Sequence, residues 1–166
     1  MSKSQIAFLV TALFSSHAAL ADPVALDVAR GHRWELHGAT VSLYAIGGGL
    51  MREVRLPGAI FSGSRDASLP AMLIAPRTGE LIVASNATTR LWRVHPTRYQ
   101  TQVYDIDVAA ERGKDFGFAS LAWGASEKTL YARSSVGSGA WRIDLDTEIA
   151  RALTPAETLV AEYPTR

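Results

Sequence analysis

Apolar and polar residues alternate along the middle of the chain at the period-two spacing of β-strands. In one run Trp92 and Val94 alternate with Arg93 and His95, so one face of this strand carries the large apolar groups. Residues that favour tight reversals, such as the turn at 77–79, separate it from similar runs. The pattern predicts four short strands, at 71–75, 81–85, 90–95 and 100–106.

The same pattern recurs farther along the chain. At an offset of 49 residues, Leu81 falls on Leu130 and Trp92 falls on Trp141. Self-similarity at a fixed period is the signature of a repeat architecture, in which each repeat is one supersecondary unit. The middle and last parts of the chain are therefore predicted to form two copies of one four-stranded unit.

An earlier and weaker copy precedes these two. With an offset of 48, Leu36 falls on Ala84 and Leu43 falls on Leu91. Four antiparallel strands repeating at this period are typical of a β-propeller blade. The alternatives are a β-sandwich, which does not need three self-similar units, and a solenoid. The sequence predicts an all-β fold of β-propeller type, a single domain with four-stranded antiparallel blades at 23–70, 71–119 and 120–166.

Two stretches resemble known propeller families. Residues 76–86 (PRTGELIVASN) with 91–96 (LWRVHP) look like blades of the NHL, YVTN and gluconolactonase-like propellers, and 126–132 (SEKTLYA) with 141–144 (WRID) is similar. The resemblance implies a ring of six or seven blades and, in some members, hydrolysis of lactones or esters with a divalent metal near the axis. The present chain is roughly half as long as such a ring requires. Its acidic and Asn positions do not map onto a lactonase metal site.

The first 21 residues are typical of a secretory signal peptide. Lys3 precedes a nine-residue apolar run at 6–14, and the segment ends in a small-x-small pattern at 19–21. The apolar run falls short of the ~20 residues needed to cross a bilayer, so no membrane anchor is expected. We expect cleavage after Ala21 and a periplasmic or secreted mature chain that starts at Asp22.

The charge of the chain argues against a broad electrostatic function. The 166 residues carry 17 basic and 16 acidic side chains, a net charge of +1. The arginines are scattered singly and form no basic patch for nucleic acid or anionic lipid, so neither is expected as a partner. A small polar ligand or a protein remains as the expected partner.

Candidate catalytic groups are few. The chain has no Cys, which excludes a thiol nucleophile or a thiolate metal site. No Ser lies in a Gly-x-Ser-x-Gly motif, and His32 and His37, five residues apart on one strand, would point to opposite faces. The carboxylates of 144–148 (DLDTE) have the spacing of a calcium loop, but the equivalent segment 95–99 indicates an ordinary turn.

These observations define two function classes. The sequence favours a non-catalytic exported binding or protein-interaction module, with no evident cofactor, no metal site and no assigned catalytic residue. The alternative, supported by the blade resemblance, is a metal-dependent lactonase- or esterase-like hydrolase of the gluconolactonase type.

One polar pair recurs with the repeat. Arg65-Asp66 and Lys114-Asp115 lie 49 residues apart in the long connections that join one blade to the next. In propellers such connections border the mouth of the central channel, so these four residues are the candidate ligand-binding site. The alternative is a set of exposed ion pairs with no functional role.

Three blades are too few to close a ring. Their two outward faces are expected to be apolar and to pair with a second copy in a six-bladed homodimer. The alternative is a piece of a longer propeller. The residues expected on the outward faces are Trp34, Leu36, Tyr44, Leu130, Trp141 and Ile143. Some of them are expected to point inward instead, because alternate residues of a strand face opposite sides.

Overall fold

The computed structural model describes residues 23–63, 68–109, 115–154 and 157. The strands in these residues form three antiparallel sheets of four, each a simple meander. Sheet 1 contains β1 (Val24–Asp27), β2 (His32–His37), β3 (Thr40–Ala45) and β4 (Leu50–Arg55). Sheet 2 contains β5 (Ala71–Ile74), β6 (Leu81–Ala84), β7 (Arg90–Val94) and β8 (Thr101–Asp105). Sheet 3 contains β9 (Phe118–Trp123), β10 (Thr129–Ser134), β11 (Ala140–Asp144) and β12 (Ile149–Ala152).

Sheet 2 confirms the strand pattern predicted from the sequence. Each of its strands lies within the predicted bounds and differs from them by at most one residue at either end. β6 is buried along its whole length, because Leu81 and Val83 pack against sheet 1 while Ile82 and Ala84 pack against sheet 3. The all-β fold with three blade-like four-stranded sheets is therefore confirmed, and sheet 2 is packed on both faces as a blade is.

The correspondence between the first unit and the second is shifted in part. Leu36 pairs with Val41 across the β2–β3 hairpin, whereas Ala84 pairs with Leu91 across the β6–β7 hairpin. Leu91 therefore corresponds to Val41, and its predicted match with Leu43 is wrong by two residues. The cause is the loop length, since two residues link β2 to β3 and a longer turn links β6 to β7.

The outward faces of sheets 1 and 3 are not the ones that we expected from the sequence. Trp34 and Leu36 pack between sheets 1 and 2. The three large apolar residues expected at the other end pack instead between sheets 2 and 3: Leu130, Trp141 and Ile143. Strand parity is the reason, because the neighbours of an inward residue point outward. The expectation was wrong for these five residues.

The outward face of sheet 1 is polar at its centre. Arg33 and Glu35 alternate with the inward Trp34 and are joined by an ion pair of 2.9 Å. The Arg33 guanidinium lies 4.9 Å from the ring centroid of Tyr44. On sheet 3 the equivalent outward positions include the exposed Arg142. These faces also carry exposed apolar side chains, Val24 and Leu26 beside Glu35 and Arg33 on sheet 1 and Ile149 on sheet 3, so pairing with a second copy stays a prediction.

The described residues include no helix long and apolar enough to cross a bilayer. The predicted signal peptide, residues 1–21, lies outside the described residues. Cleavage after Ala21 therefore stays a prediction.

Candidate functional site

The channel-mouth residues predicted from the repeat fall mostly outside the described part of the chain. Arg65, Asp66 and Lys114 lie outside the described residues, and Asp115 begins a described segment with an exposed side chain. The structure therefore does not show how the two predicted pairs are placed relative to each other, and the channel-mouth site stays a prediction.

The connection that carries Arg65 and Asp66 is anchored on both sides by a buried residue. The Asn86 side-chain amide donates to the carbonyl oxygens of Ser62 and Ser68, at 3.1 and 2.6 Å. Its oxygen accepts from the Ser62 N–H at 2.8 Å. Asn86 is 4% exposed, so these bonds are shielded from water. The ends of this connection are fixed by sheet 2.

The connection that carries Asp115 is anchored by the residue equivalent to Asn86 in the repeat. Ser135 exchanges two hydrogen bonds with Gly117, both 2.8 Å. Phe118 N–H also donates to the Ser85 carbonyl at 2.7 Å. These anchors were not predicted from the sequence, although Asn86 and Ser135 lie 49 residues apart in the aligned copies.

Two polar cavities, of about 530 and 560 Å³, open at the opposite end of the sheets, the first lined by the sheet 2 unit alone and the second by sheets 2 and 3. They share Arg93 and Gln102 as lining residues and are together called the Arg93 groove. Its walls come from β7, β8 and the turns β5–β6, β7–β8, β9–β10 and β11–β12. The principal lining residues are Arg77, Glu80, Arg93, His95, Arg98, Gln100, Gln102, Tyr104, Glu127, Lys128, Asp146 and Glu148.

A charge-assisted pair lies at the centre of the groove. The Arg93 guanidinium donates to Glu80 Oε2 through Nε at 3.0 Å and through Nη2 at 2.5 Å. Its Nη1 reaches the Glu127 carbonyl of sheet 3 at 3.4 Å. The side chains of Arg93 and Glu80 are 19% and 16% exposed. Arg93 therefore joins the two walls of the groove.

The interaction between Glu80 and Arg93 moves the pKa of each group further from pH 7. Burial alone would raise the pKa of Glu80, but hydrogen bonds from Arg93 and Thr78 and the charge of Arg93 outweigh it and lower the pKa. Burial alone would lower the pKa of Arg93, but the hydrogen bond and charge of Glu80 outweigh it and raise the pKa. Burial raises the pKa of the adjacent Tyr104 phenol.

The opposite wall carries further paired charges. Glu127 accepts from the Arg77 N–H at 2.7 Å, and Lys128 pairs with Asp146 at 2.7 Å. The lining residues include equal numbers of basic and acidic side chains. The groove is thus strongly polar but has no net excess of either charge.

Two of the turns that bound the groove, β7–β8 and β11–β12, share one hydrogen-bond pattern. His95 Nδ1 accepts the N–H groups of Thr97 and Arg98, at 3.2 and 3.1 Å. Asp144 Oδ1 accepts the two equivalent N–H groups of its own turn, at 2.9 and 3.1 Å. The Thr147 N–H is the main cause that lowers the pKa of Asp144. Residues 144–148 thus form a turn with the hydrogen-bond pattern of 95–99.

The same two turns end on residues with left-handed backbone. Tyr99 has φ 57° and Glu148 has φ 58°. These values are uncommon for residues other than glycine, and the surrounding hydrogen bonds hold the chain in that conformation. The groove is therefore bounded by turns of defined geometry.

Within residues 23–63, 68–109, 115–154 and 157, no three His, Asp or Glu side chains are grouped so that they could hold a metal ion. His37 Nε2 lies 3.1 Å from Glu35 on the outward face of sheet 1.

Replacing Glu80 with Gln should destabilise the protein by roughly 1–3 kcal/mol at pH 7, because the largely buried Arg93 loses its carboxylate. The pKa of Glu80 is lowered by folding, so its contribution is complete above its ordinary value of 4.5 and is lost as the pH falls. Urea unfolding at pH 7 and pH 3 should therefore show a smaller difference between variant and wild type at pH 3. Glu53→Gln, on the exposed β4, is the matched control and should change stability little.

No family profile and no curated protein matches the chain. Among solved structures, the chain is similar to hydrazine synthase of Kuenenia stuttgartiensis, with a TM-score of 0.55 and 14% sequence identity. The match covers 84% of this chain and 38% of that chain, so this chain spans well under half of its length. At such low identity the likeness supports the repeated β-sheet fold alone.

Proposed function

We propose that the chain is an exported binding module that holds a polar ligand in the Arg93 groove and performs no chemistry on it. The observation that carries the proposal is that two polar cavities lie side by side at Arg93 and Gln102, the second of them between sheets 2 and 3. Concave sites of several hundred cubic ångströms with convergent polar groups are the usual form of a ligand site. Export is supported by the signal-peptide pattern of residues 1–21.

The groove is organised before a ligand arrives. The ion pair of Arg93 and Glu80 fixes the centre, and the hydrogen bond from the Arg77 N–H to the buried Glu127 carboxylate fixes one wall. Side chains that are already held in place lose less entropy on binding. Gln102 adds an exposed amide that both donates and accepts. These groups suit a neutral or zwitterionic polar ligand.

The protonation states favour binding over catalysis. A general acid or base works best when its pKa lies near the operating pH. The pKa of Glu80 is lowered and that of Arg93 is raised, so both groups stay charged at neutral pH. They are suited to orienting a ligand rather than to transferring a proton.

The proposal can be tested by NMR on the ¹⁵N-labelled mature protein, titrated with amino acids, dipeptides, disaccharides and dicarboxylates. At least one class should shift the resonances of Gln102 and its neighbours in the groove. The double variant Arg98→Ala/Gln102→Ala should lose this response. Arg55→Ala, an exposed arginine on β4, is the matched control and should keep it.

Two results would argue against the groove. Resonance shifts confined to Asp115 and its connection would assign binding to the channel mouth that we predicted from the sequence. A response of equal size in wild type and the double variant would show that these groove side chains do not contact the ligand.

A further inference from the structure

The outer edge of β8 borders the Arg93 groove. On its inner side β8 pairs with β7. Two hydrogen bonds show which residues of β8 bond to β7: the His95 N–H donates to the Gln100 carbonyl at 3.0 Å, and the Ile106 N–H donates to the Thr89 carbonyl at 3.1 Å. Antiparallel ladders alternate, so the backbone N–H and C=O groups of 101, 103 and 105 point away from β7. These groups form a strand edge beside the groove.

At its Asp105 end, this edge already makes hydrogen bonds with sheet 3. The Asp105 N–H donates to Glu148 Oε2 at 3.1 Å. Asp107 makes a parallel bridge with Ile149, in which its N–H donates to the Glu148 carbonyl at 2.8 Å and its carbonyl accepts from Ala150 at 2.9 Å. The outer edges of sheets 2 and 3 therefore meet at Asp107.

The Arg93 groove occupies the space on the other side of this junction. Thr101 and Gln102 line its first cavity, and Gln102, Asp146 and Glu148 line its second. Within the described part of the chain, the edge-facing N–H groups of Thr101 and Val103 have no hydrogen-bond partner. An unpaired strand edge is a template for another strand.

We propose that the ligand of the Arg93 groove is an extended polypeptide segment that pairs with the β8 edge at Thr101 and Val103. This inference rests on the proposed function and specifies its ligand. A peptide supplies backbone donors and acceptors at the spacing of the edge, and every second side chain enters the groove. A small polar molecule does not match that repeated spacing.

The charges along the edge define the side chains that fit. Arg98 lies near the Thr101 end of β8, and Glu148 lies near the Asp105 end. An acidic side chain is therefore expected at the first end and a basic one at the second. Polar residues between them would face Gln102.

The test uses synthetic nonapeptides of alternating Thr and Val, with Glu near one end and Lys near the other, in both orders. Each is also made with alternate backbone amides N-methylated, which blocks strand pairing and keeps every side chain. At least one peptide should bind the mature protein, measured by fluorescence anisotropy. Its N-methylated form should bind about tenfold more weakly or worse, the scale of two lost net hydrogen bonds.

A variant of the protein makes the same comparison. Val103→Pro removes the edge-facing N–H at a position where an edge strand tolerates proline, and should weaken binding by about tenfold. Val103→Ala keeps the N–H and trims the same side chain, so it should bind within roughly twofold of wild type. If Val103→Pro does not fold, the N-methylated peptides on wild-type protein carry the test.

Three results would overturn strand pairing. One is the absence of binding by every peptide at about 1 mM, the weakest range of specific affinity. Another is equal binding by methylated and unmethylated forms. The third is a groove response to saccharides or dicarboxylates without any response to peptides, which would leave the proposed function intact and refute its peptide ligand.

Discussion

Replacing Gly117 with Ala is expected to cost more than about 3 kcal/mol of stability. A Cβ at this position would lie 2.3 Å from the Asn86 carbonyl carbon, 2.4 Å from the Ser85 oxygen and 2.5 Å from the Ala87 nitrogen. All three atoms belong to the backbone and cannot rotate aside. The chain would have to move, and the hydrogen bonds between Gly117 and Ser135 would be broken.

Urea unfolding of the protein measures this effect. Gly49→Ala is the matched control, because no atom lies within 4 Å of its added Cβ and its φ is not positive. The control should stay within roughly 1 kcal/mol of wild type. If Gly117→Ala unfolds at the wild-type urea concentration, the close approach of this connection to the β6–β7 turn is not as described.

The strands of sheet 2 were predictable because their determinants are local. Alternation at period two and the reversals between runs need only neighbouring residues. The first unit was harder, because the β2–β3 hairpin is shorter and shifts β3 by two residues relative to Leu91. An alignment at a constant offset does not detect such a change, and it gives the wrong partner for every residue of the shifted strand.

The outward faces were missed for a related reason. The sequence shows that Trp34 and Arg33 lie on opposite faces of β2, but it does not show which face meets sheet 2. Packing decides this, because Trp34 fits among the apolar residues of sheets 1 and 2. That choice places Arg33 and Glu35, together with the exposed Val24 and Leu26, on the other face.

The Arg93 groove was not predicted because it depends on contacts between sheets. Glu80 and Arg93 meet across the β6–β7 hairpin, while Glu127 comes from the next unit. None of these residues belongs to a recognisable motif. The repeated pairs Arg65-Asp66 and Lys114-Asp115 indicated a site at the opposite end of the sheets. The role of His95 in its turn is visible only in the structure, where its Nδ1 accepts the N–H groups of Thr97 and Arg98.

Replacing Trp92 with Ala is expected to destabilise the protein by roughly 3–5 kcal/mol, the range for removing a buried large aromatic. The side chain is fully buried between sheets 1 and 2. Its ring centroid lies 5.5 Å from that of Phe61, and its Nε1 donates to the Pro57 carbonyl at 2.9 Å. The substitution removes contacts with both sheets and leaves that carbonyl without its donor.

Phenylalanine substitutions separate the hydrogen bond from the packing. Trp34 is also fully buried in the same apolar cluster, but its Nε1 has no hydrogen-bond partner in the described part of the chain. Trp92→Phe loses a bond that Trp34→Phe does not, so it should cost about 1 kcal/mol more in urea unfolding. Equal costs would show that the bond to Pro57 adds no net stability. A larger cost for Trp34→Phe would mean that its indole nitrogen is hydrogen-bonded in solution, since burying it without a partner is unfavourable.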